Sequence, residues 1–186
     1  MLAGDDGYAA RGLAALSRAF LALFTLPKPL VAAINGHAIA GGCVISCASD
    51  RRLMARGSGR IGLAELAVGV PFPLAAFEIA RACVGTARVA ELVYLADVYT
   101  PEDALARGLI DEIVEPDALI ARAVEIAHRL ASVPAATYAH TKRQLRRPTL
   151  ERIAAQAPFD DQEAIGIWAS EEARAKIRTT LDALGS

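Results

Sequence analysis

The chain has 186 residues, 54% of them hydrophobic, with 20 Lys and Arg against 21 Asp and Glu and a formal net charge of −1. That apolar share can fill one sizeable core, and the near-neutral charge excludes the strongly basic surface expected of a nucleic-acid binder. No uninterrupted apolar stretch is long enough to span a bilayer, and no basic start leading into an apolar run marks a signal peptide.

Taken in chain order, Leu13, Leu16, Phe20, Leu23 and Phe24 recur at helical spacing from about Tyr8, and Pro27 stops that helix. The apolar run 30–34 predicts a buried strand that ends at Asn35-Gly36. Gly41-Gly42 then opens a second apolar segment, a predicted helix over 41–48. Segments 52–55 and 60–62 are short strand candidates around the turn Gly57-Ser58-Gly59. Residues 74–83 read as a helix after Pro73, and Thr86 as the cap of another that runs to Leu95. Thr100-Pro101-Glu102-Asp103 has a cap residue followed by proline at the first helical position, and Gly108 ends that short helix. A strand is predicted over 109–114. Ile120, Val124, Ala127 and Leu130 then place an apolar face on the next helix, and Pro134 and Pro148 punctuate a helical C-terminal third. Strands alternating with helices, followed by helices alone, give an α/β fold with a helical C-terminal extension.

The remaining polar features read as structure. Lys142-Arg143 with Arg146-Arg147 is the pattern of a solvated helix face. Cys43 and Cys47, four apart, share a helix face without a CxxC or Cys/His cluster, so core packing rather than metal is expected. With Cys83 they suit a reducing compartment, and a cytoplasmic location is expected. His37, His128 and His140 have no partner pattern.

The chemistry concentrates where the strand at 30–34 gives way to the helix at 41–48. Glycines there let a substrate approach the backbone. The first amides of a helix lack intrahelical partners and sit at the positive end of its dipole, where a carbonyl oxygen gaining negative charge is stabilised. Glu65 is the one carboxylate between residues 61 and 73. Burial among Leu63, Leu66 and Val68 should raise its pKa, which suits a base that exchanges protons near neutral pH.

Several segments, in order, carry a family resemblance. They are Pro27-Lys28-Pro29-Leu30-Val31-Ala32-Ala33-Ile34-Asn35-Gly36, Ala40-Gly41-Gly42-Cys43, Asp50, Gly62-Leu63-Ala64-Glu65, and the stretch from Thr100 to Asp111. Together they resemble the crotonase superfamily, the enoyl-CoA hydratase/isomerase family. The resemblance implies a ββα spiral: a partial spiral core over 1–115, then a helical region over 116–186 that drives assembly as a homotrimer or a dimer of trimers. It also implies an acyl-CoA substrate, with CoA as the thioester carrier and neither a cofactor nor a metal. No nucleic-acid or membrane partner is implied. A basic surface in this family can also meet CoA phosphates.

Two departures shape the functional expectation. Val44 stands where the hydratases carry a glutamate, directly after Gly-Gly-Cys, so Glu65 is left as the single carboxylate. One carboxylate suffices to move a proton between two carbons. The pattern is therefore similar to the 3-enoyl-CoA to 2-enoyl-CoA isomerases, whose "GLNE"-like segment Gly62-Leu63-Ala64-Glu65 approaches. Glu65 is then the base that forms and reprotonates a dienolate, and the Gly41 amide belongs to the oxyanion hole. Ala40, Gly42, Val44, Leu66 and Phe72 are expected to line the substrate pocket. Hydration is the alternative within the family, and a non-catalytic assembly subunit the alternative outside it. The second departure is at the start. The family's segment supplying the other oxyanion amide and several core strands has no counterpart here, and residues 1–7 resemble the loop just after it. The expectation is an N-terminally truncated member that associates with other chains and turns over slowly.

Overall fold

The structure, a computed structural model, describes residues 7–185, so residues 1–6 of the segment read as a loop lie outside it. It begins with helix α1 (Tyr8–Phe24) and then winds in repeating turns. Strands β1 (Val31–Ile34) and β2 (Ala38–Ile39) lead into α2 (Gly41–Cys47); β3 (Arg51–Ala55) and β4 (Ile61–Gly62) lead through a one-turn 3-10 helix (Leu66–Val68) into α3 (Leu74–Val84). Helices α4 (Thr86–Leu95) and α5 (Pro101–Ala106) precede β5 (Glu112–Val114). The chain ends in α6 (Leu119–Ala131), α7 (Ala135–Ala169) and α8 (Glu171–Gly185).

The first two turns of this winding each add one strand to each of two sheets, and the third adds β5 to the first sheet. One sheet has the order β1-β3-β5 and the other pairs β2 with β4. All the paired strands are parallel, with Val31 opposite Arg51, Leu53 opposite Glu112 and Ile39 opposite Gly62. Parallel neighbours need a crossover, and the helices that provide it cover the sheet. The strands accordingly read as apolar runs rather than alternations. A main core of Phe20, Phe24, Ile34, Cys43, Val44, Cys47, Met54, Ile61, Leu63, Ile79 and Leu92 lies under α2 and α3. A second, smaller core joins Leu53, Ala55 and Val114 to α6. Both buried cysteines of α2 pack here as expected.

Thr100 caps α5 as predicted: its Oγ1 accepts the Asp103 amide at 3.1 Å, and Gly108 (φ 70°) ends the turn after it. The other predicted cap is displaced. Gly85 occupies the N-cap of α4 and Thr86 is its first helical residue, with no side-chain capping bond. On α6 the buried stripe is Leu119, Ala123 and Ile126, while Ile120 (65%) and Val124 (48%) are exposed. The stripe starting at 119 and the one starting at 120 are both apolar at helical spacing, so periodicity cannot choose between them. Contact with β1 and β3 chooses the first.

Pro148 does not end a helix; it and Pro158 lie inside the 35 residues of α7. A proline inside a helix costs about 3 kcal/mol, and tertiary contacts on both sides of Pro148 offset it. Before it, Lys142 and Arg146 turn inward. Lys142 Nζ and Arg146 Nη2 each donate to Asp50 at 2.7 Å, and Asp50 also accepts the Leu30 amide at 2.8 Å. After it, Arg152 Nε donates to the buried Glu78 of α3 at 2.7 Å. The predicted solvated basic face is therefore only half solvated: Arg143 and Arg147 are exposed, whereas Lys142 and Arg146 bind α7 to the junction of α2 and β3. The charge pattern was visible, but a half-buried acidic partner 92 residues away was not. Asp111 plays a related part, with its Oδ2 accepting the Arg52 amide at 2.8 Å and so tying β3 to the approach of β5. Among the described residues no helix is long and apolar enough to cross a membrane.

Candidate active site

The pairing of β2 with β4 assembles the site. Ala38 N donates to Arg60 O at 2.8 Å and Ala40 N to Gly62 O at 2.9 Å, so both strands end side by side, roughly 4.8 Å apart as sheet neighbours are. From the end of β2 the chain passes through Ala40 into the first turn of α2 at Gly41. From the end of β4 it passes through Leu63 and Ala64 to Glu65. The first turn of α2 and the turn that carries Glu65 thus leave the same carboxyl end of two parallel strands.

The strand-to-helix junction is strained. Ala40 has φ 54° and ψ −119°, a conformation that L side chains seldom adopt. Strain of this kind costs about 1–3 kcal/mol and concentrates at functional sites. The glycines beside it have no positive φ, so the unusual backbone conformation falls on alanine, where composition gives no signal. The strained turn starts α2 directly on the strand end, and Val44 N is the first helical amide to reach a carbonyl, Ala40 O at 3.1 Å. The amides of Gly41, Gly42 and Cys43 precede any intrahelical acceptor. Phe20 of α1 lies under this turn, its ring 3.6 Å from where a Gly41 Cβ would stand.

Strand β4 is held from both sides. Opposite β2, Tyr99 N donates to Ile61 O at 2.8 Å and Ile61 N to Tyr99 O at 3.1 Å. The Asp97 carbonyl presses so closely that a Cβ on Gly62 would fall 2.3 Å from it. Only glycine fits there, which gives a packing reason for the first residue of Gly62-Leu63-Ala64-Glu65.

Glu65 is the N-cap of the 3-10 helix Leu66–Val68. Its carbonyl accepts the Val68 and Val70 amides at 3.2 and 3.1 Å. Leu63 and Val70 beside it are fully buried. Its carboxylate Oε2 is buried without a hydrogen-bond partner. Desolvation pushes its pKa from 4.5 up to about 7, against a smaller lowering by a backbone hydrogen bond. At neutral pH the group is divided between its two forms and can both take and return a proton. A reaction that needs the ionised form should lose rate about tenfold per pH unit below pH 7 and level off above about pH 8. A kcat/KM profile from pH 5 to 9 checks this, and a flat profile between pH 5 and 7 contradicts it.

The other predicted lining residues divide. Ala40, Gly41 and Gly42 stand at the same end of the β2–β4 sheet as Glu65. Leu66 follows Glu65 on the same turn and is 41% exposed. Val44 is 0% exposed and belongs to the main core, one turn into α2, with no carboxylate in its place. Phe72 is half-buried against that core and the Phe77 ring, centroids 6.4 Å apart. A cavity of about 480 Å³ opens at the opposite end of α2, lined by Cys47, Asp50, Cys83, Tyr138, Lys142 and Arg146 among others. Its polar groups include the ion cluster that binds α7, and it lies away from Glu65. Three residues of the C-terminal helices reach the Glu65–Leu74 loop: Trp168, expected only to pack among those helices, and Asp161 and Lys176, which the sequence did not mark.

Comparison with known proteins follows the same lines. The family described as enoyl-CoA hydratase/isomerase matches residues 7–178. The chain is 33% identical over 116 residues to the short-chain-enoyl-CoA hydratase of Clostridium acetobutylicum, covering 62% of this chain and 44% of that one. It is 26% identical over 166 residues to the mitochondrial enoyl-CoA delta isomerase 1 of Mus musculus, covering 89% and 57%. The chain thus spans about half the length of these curated relatives. In structure it resembles human mitochondrial delta3-delta2-enoyl-CoA isomerase with a TM-score of 0.93, over 98% of this chain and 71% of that one, at 23% identity. That likeness is one of fold, and it makes the two-sheet winding with C-terminal helices crotonase-like.

Proposed function

Because the chain belongs to the enoyl-CoA hydratase/isomerase family, we propose that it moves a double bond in an enoyl-CoA thioester, converting a 3-enoyl-CoA to a 2-enoyl-CoA. The observation that carries this reading is the buried Glu65 carboxylate, its Oε2 without a hydrogen-bond partner, on the turn that leaves β4 beside the strand that opens α2. Glu65 removes a proton from C2, and the electron pair moves into the thioester carbonyl to give a dienolate. The Gly41 amide donates to the resulting oxyanion, which lies at the positive end of the helix. Glu65 then returns its proton to C4, and the double bond comes to rest between C2 and C3. Nothing is oxidised or reduced, and CoA serves as the carrier.

Val44 separates this reading from hydration, since relatives of both names occur. Adding water requires a group that activates the water and a group that delivers the proton, and a fully buried valine provides neither. Ala40, Gly42, Leu66 and Phe72 complete the proposed substrate pocket. A cytoplasmic homotrimer or dimer of trimers is the proposed working form.

The test compares two substrates. A 3-enoyl-CoA should be isomerised faster than the matching 2-enoyl-CoA is hydrated. Val44→Glu should raise hydration, at a stability cost of several kcal/mol for the added buried charge. Efficient hydration by the parent chain, equal to or faster than isomerisation, would sink the single-carboxylate reading.

A further inference from the structure

The turn that carries Glu65 is fastened from outside by the last two helices. The Val68 and Val70 amides donate to the Glu65 carbonyl at 3.2 and 3.1 Å and close residues 65–70 into one unit. Pro71 follows directly, and its carbonyl accepts the indole N–H of Trp168 on α7 at 2.9 Å. Two turns earlier on α7, Asp161 Oδ1 accepts the Leu74 amide, the first of α3, at 2.7 Å. On the other side Gly69 (φ 77°) backs onto α8, where a Cβ would come within 2.9 Å of Lys176 Cγ. The loop from base to α3 therefore has no free end.

We infer that Trp168 is a positioning residue for Glu65, holding the base at its working distance from the Gly41 amide through the Pro71 carbonyl. The inference rests on the reading of Glu65 as the base. Trp168 is the chain's single tryptophan, and its indole N–H is a donor with no acceptor role. A part-buried donor of this kind keeps its partner, because an unmet one is costly. It is one of the hydrogen bonds that join α7 to this loop, and it falls one residue beyond the Glu65–Val70 unit. The inference gives α7 and α8 a catalytic consequence beyond packing. A displacement of about 1 Å at a reacting group costs about 10²-fold in rate, so a partial loosening should cost about tenfold.

The test is Trp168→Phe, which keeps an aromatic ring and removes the donor. Amide hydrogen exchange, read residue by residue by NMR, should quicken about tenfold at Val68 and Val70 and stay unchanged at Leu53 and Met54 of β3. With 3-hexenoyl-CoA as the probe, kcat should fall about tenfold while KM stays within twofold. Unchanged exchange at Val68 and Val70 overturns the inference, and so does faster exchange with an unchanged kcat. If the parent chain shows no turnover, the isomerase reading fails, and the exchange rates alone decide whether Trp168 holds the turn. Should Trp168→Phe not fold, Trp168→Leu removes the same donor and keeps an apolar side chain. Faster exchange at Val70 in that variant supports the inference, and unchanged exchange refutes it.

Discussion

Glu65→Gln should lower isomerisation by about 10²–10⁴-fold, the range that a positioned general base contributes. The replacement keeps size and hydrogen-bonding capacity and removes basicity. The same variant should be more stable than the parent at alkaline pH. Burial raises the carboxyl from 4.5 to about 7. Between those values the folded chain holds a proton that the unfolded chain has lost, so the parent's stability falls as pH rises from 4.5 to 7. Above pH 7 the cost is complete, of order 3 kcal/mol as an upper bound. Below pH 4.5 both states are protonated and the cost vanishes. Glutamine does not ionise, so urea denaturation at pH 8 should favour the variant, and at pH 4.5 the two should coincide. Equal stability of parent and variant at pH 8 would show that the carboxylate is not desolvated.

The second large effect lies away from the chemistry. Asp50→Ala should destabilise the chain by about 3–5 kcal/mol, because it leaves two buried cations without their acid. Lys142 and Arg146 both depend on that carboxylate, and burial already holds the Lys142 pKa below its ordinary range. The loss also frees the Leu30 amide at the entrance to β1. Arg146 retains the Phe24 ring, 4.3 Å from its guanidinium carbon, and the Phe24 and Ala48 carbonyls. Replacing Lys142, Arg146 and Asp50 together by apolar residues should cost much less than the single change, since buried ion clusters are strained by desolvation. Urea midpoints at constant pH measure both. A loss under 1 kcal/mol for Asp50→Ala would mean that water reaches the cluster.

The local elements were the legible part of the sequence. The apolar run, the glycine pair and the Thr-Pro cap are signals confined to a few neighbouring residues, and β1, α2 and α5 appear where those signals put them. The desolvation of Glu65 was legible for the same reason, a lone acid in an apolar stretch. What failed depended on distant partners. Lys142 and Arg146 read as solvent-facing until Asp50 is placed beside them. Pro148 read as a helix end because the contacts that outweigh it lie on α3 and around Asp50. The face of α6 was ambiguous between two apolar stripes, and only the sheet decides. The strain at Ala40 left no trace at all, because alanine carries no conformational signature. The hold of Trp168 on Pro71 spans 97 residues and likewise has no local mark.

The proposed isomerase moves a proton between two carbons of an enoyl-CoA through Glu65 and adds no water. Incubating 3-hexenoyl-CoA with the chain in ¹⁸O-labelled water and resolving the products by mass tests it directly. The first product should be 2-hexenoyl-CoA without label, formed by the parent and not by Glu65→Gln. Unconverted 3-hexenoyl-CoA, with labelled 3-hydroxyhexanoyl-CoA formed when 2-hexenoyl-CoA is supplied instead, would contradict it, and so would product formation undiminished in Glu65→Gln.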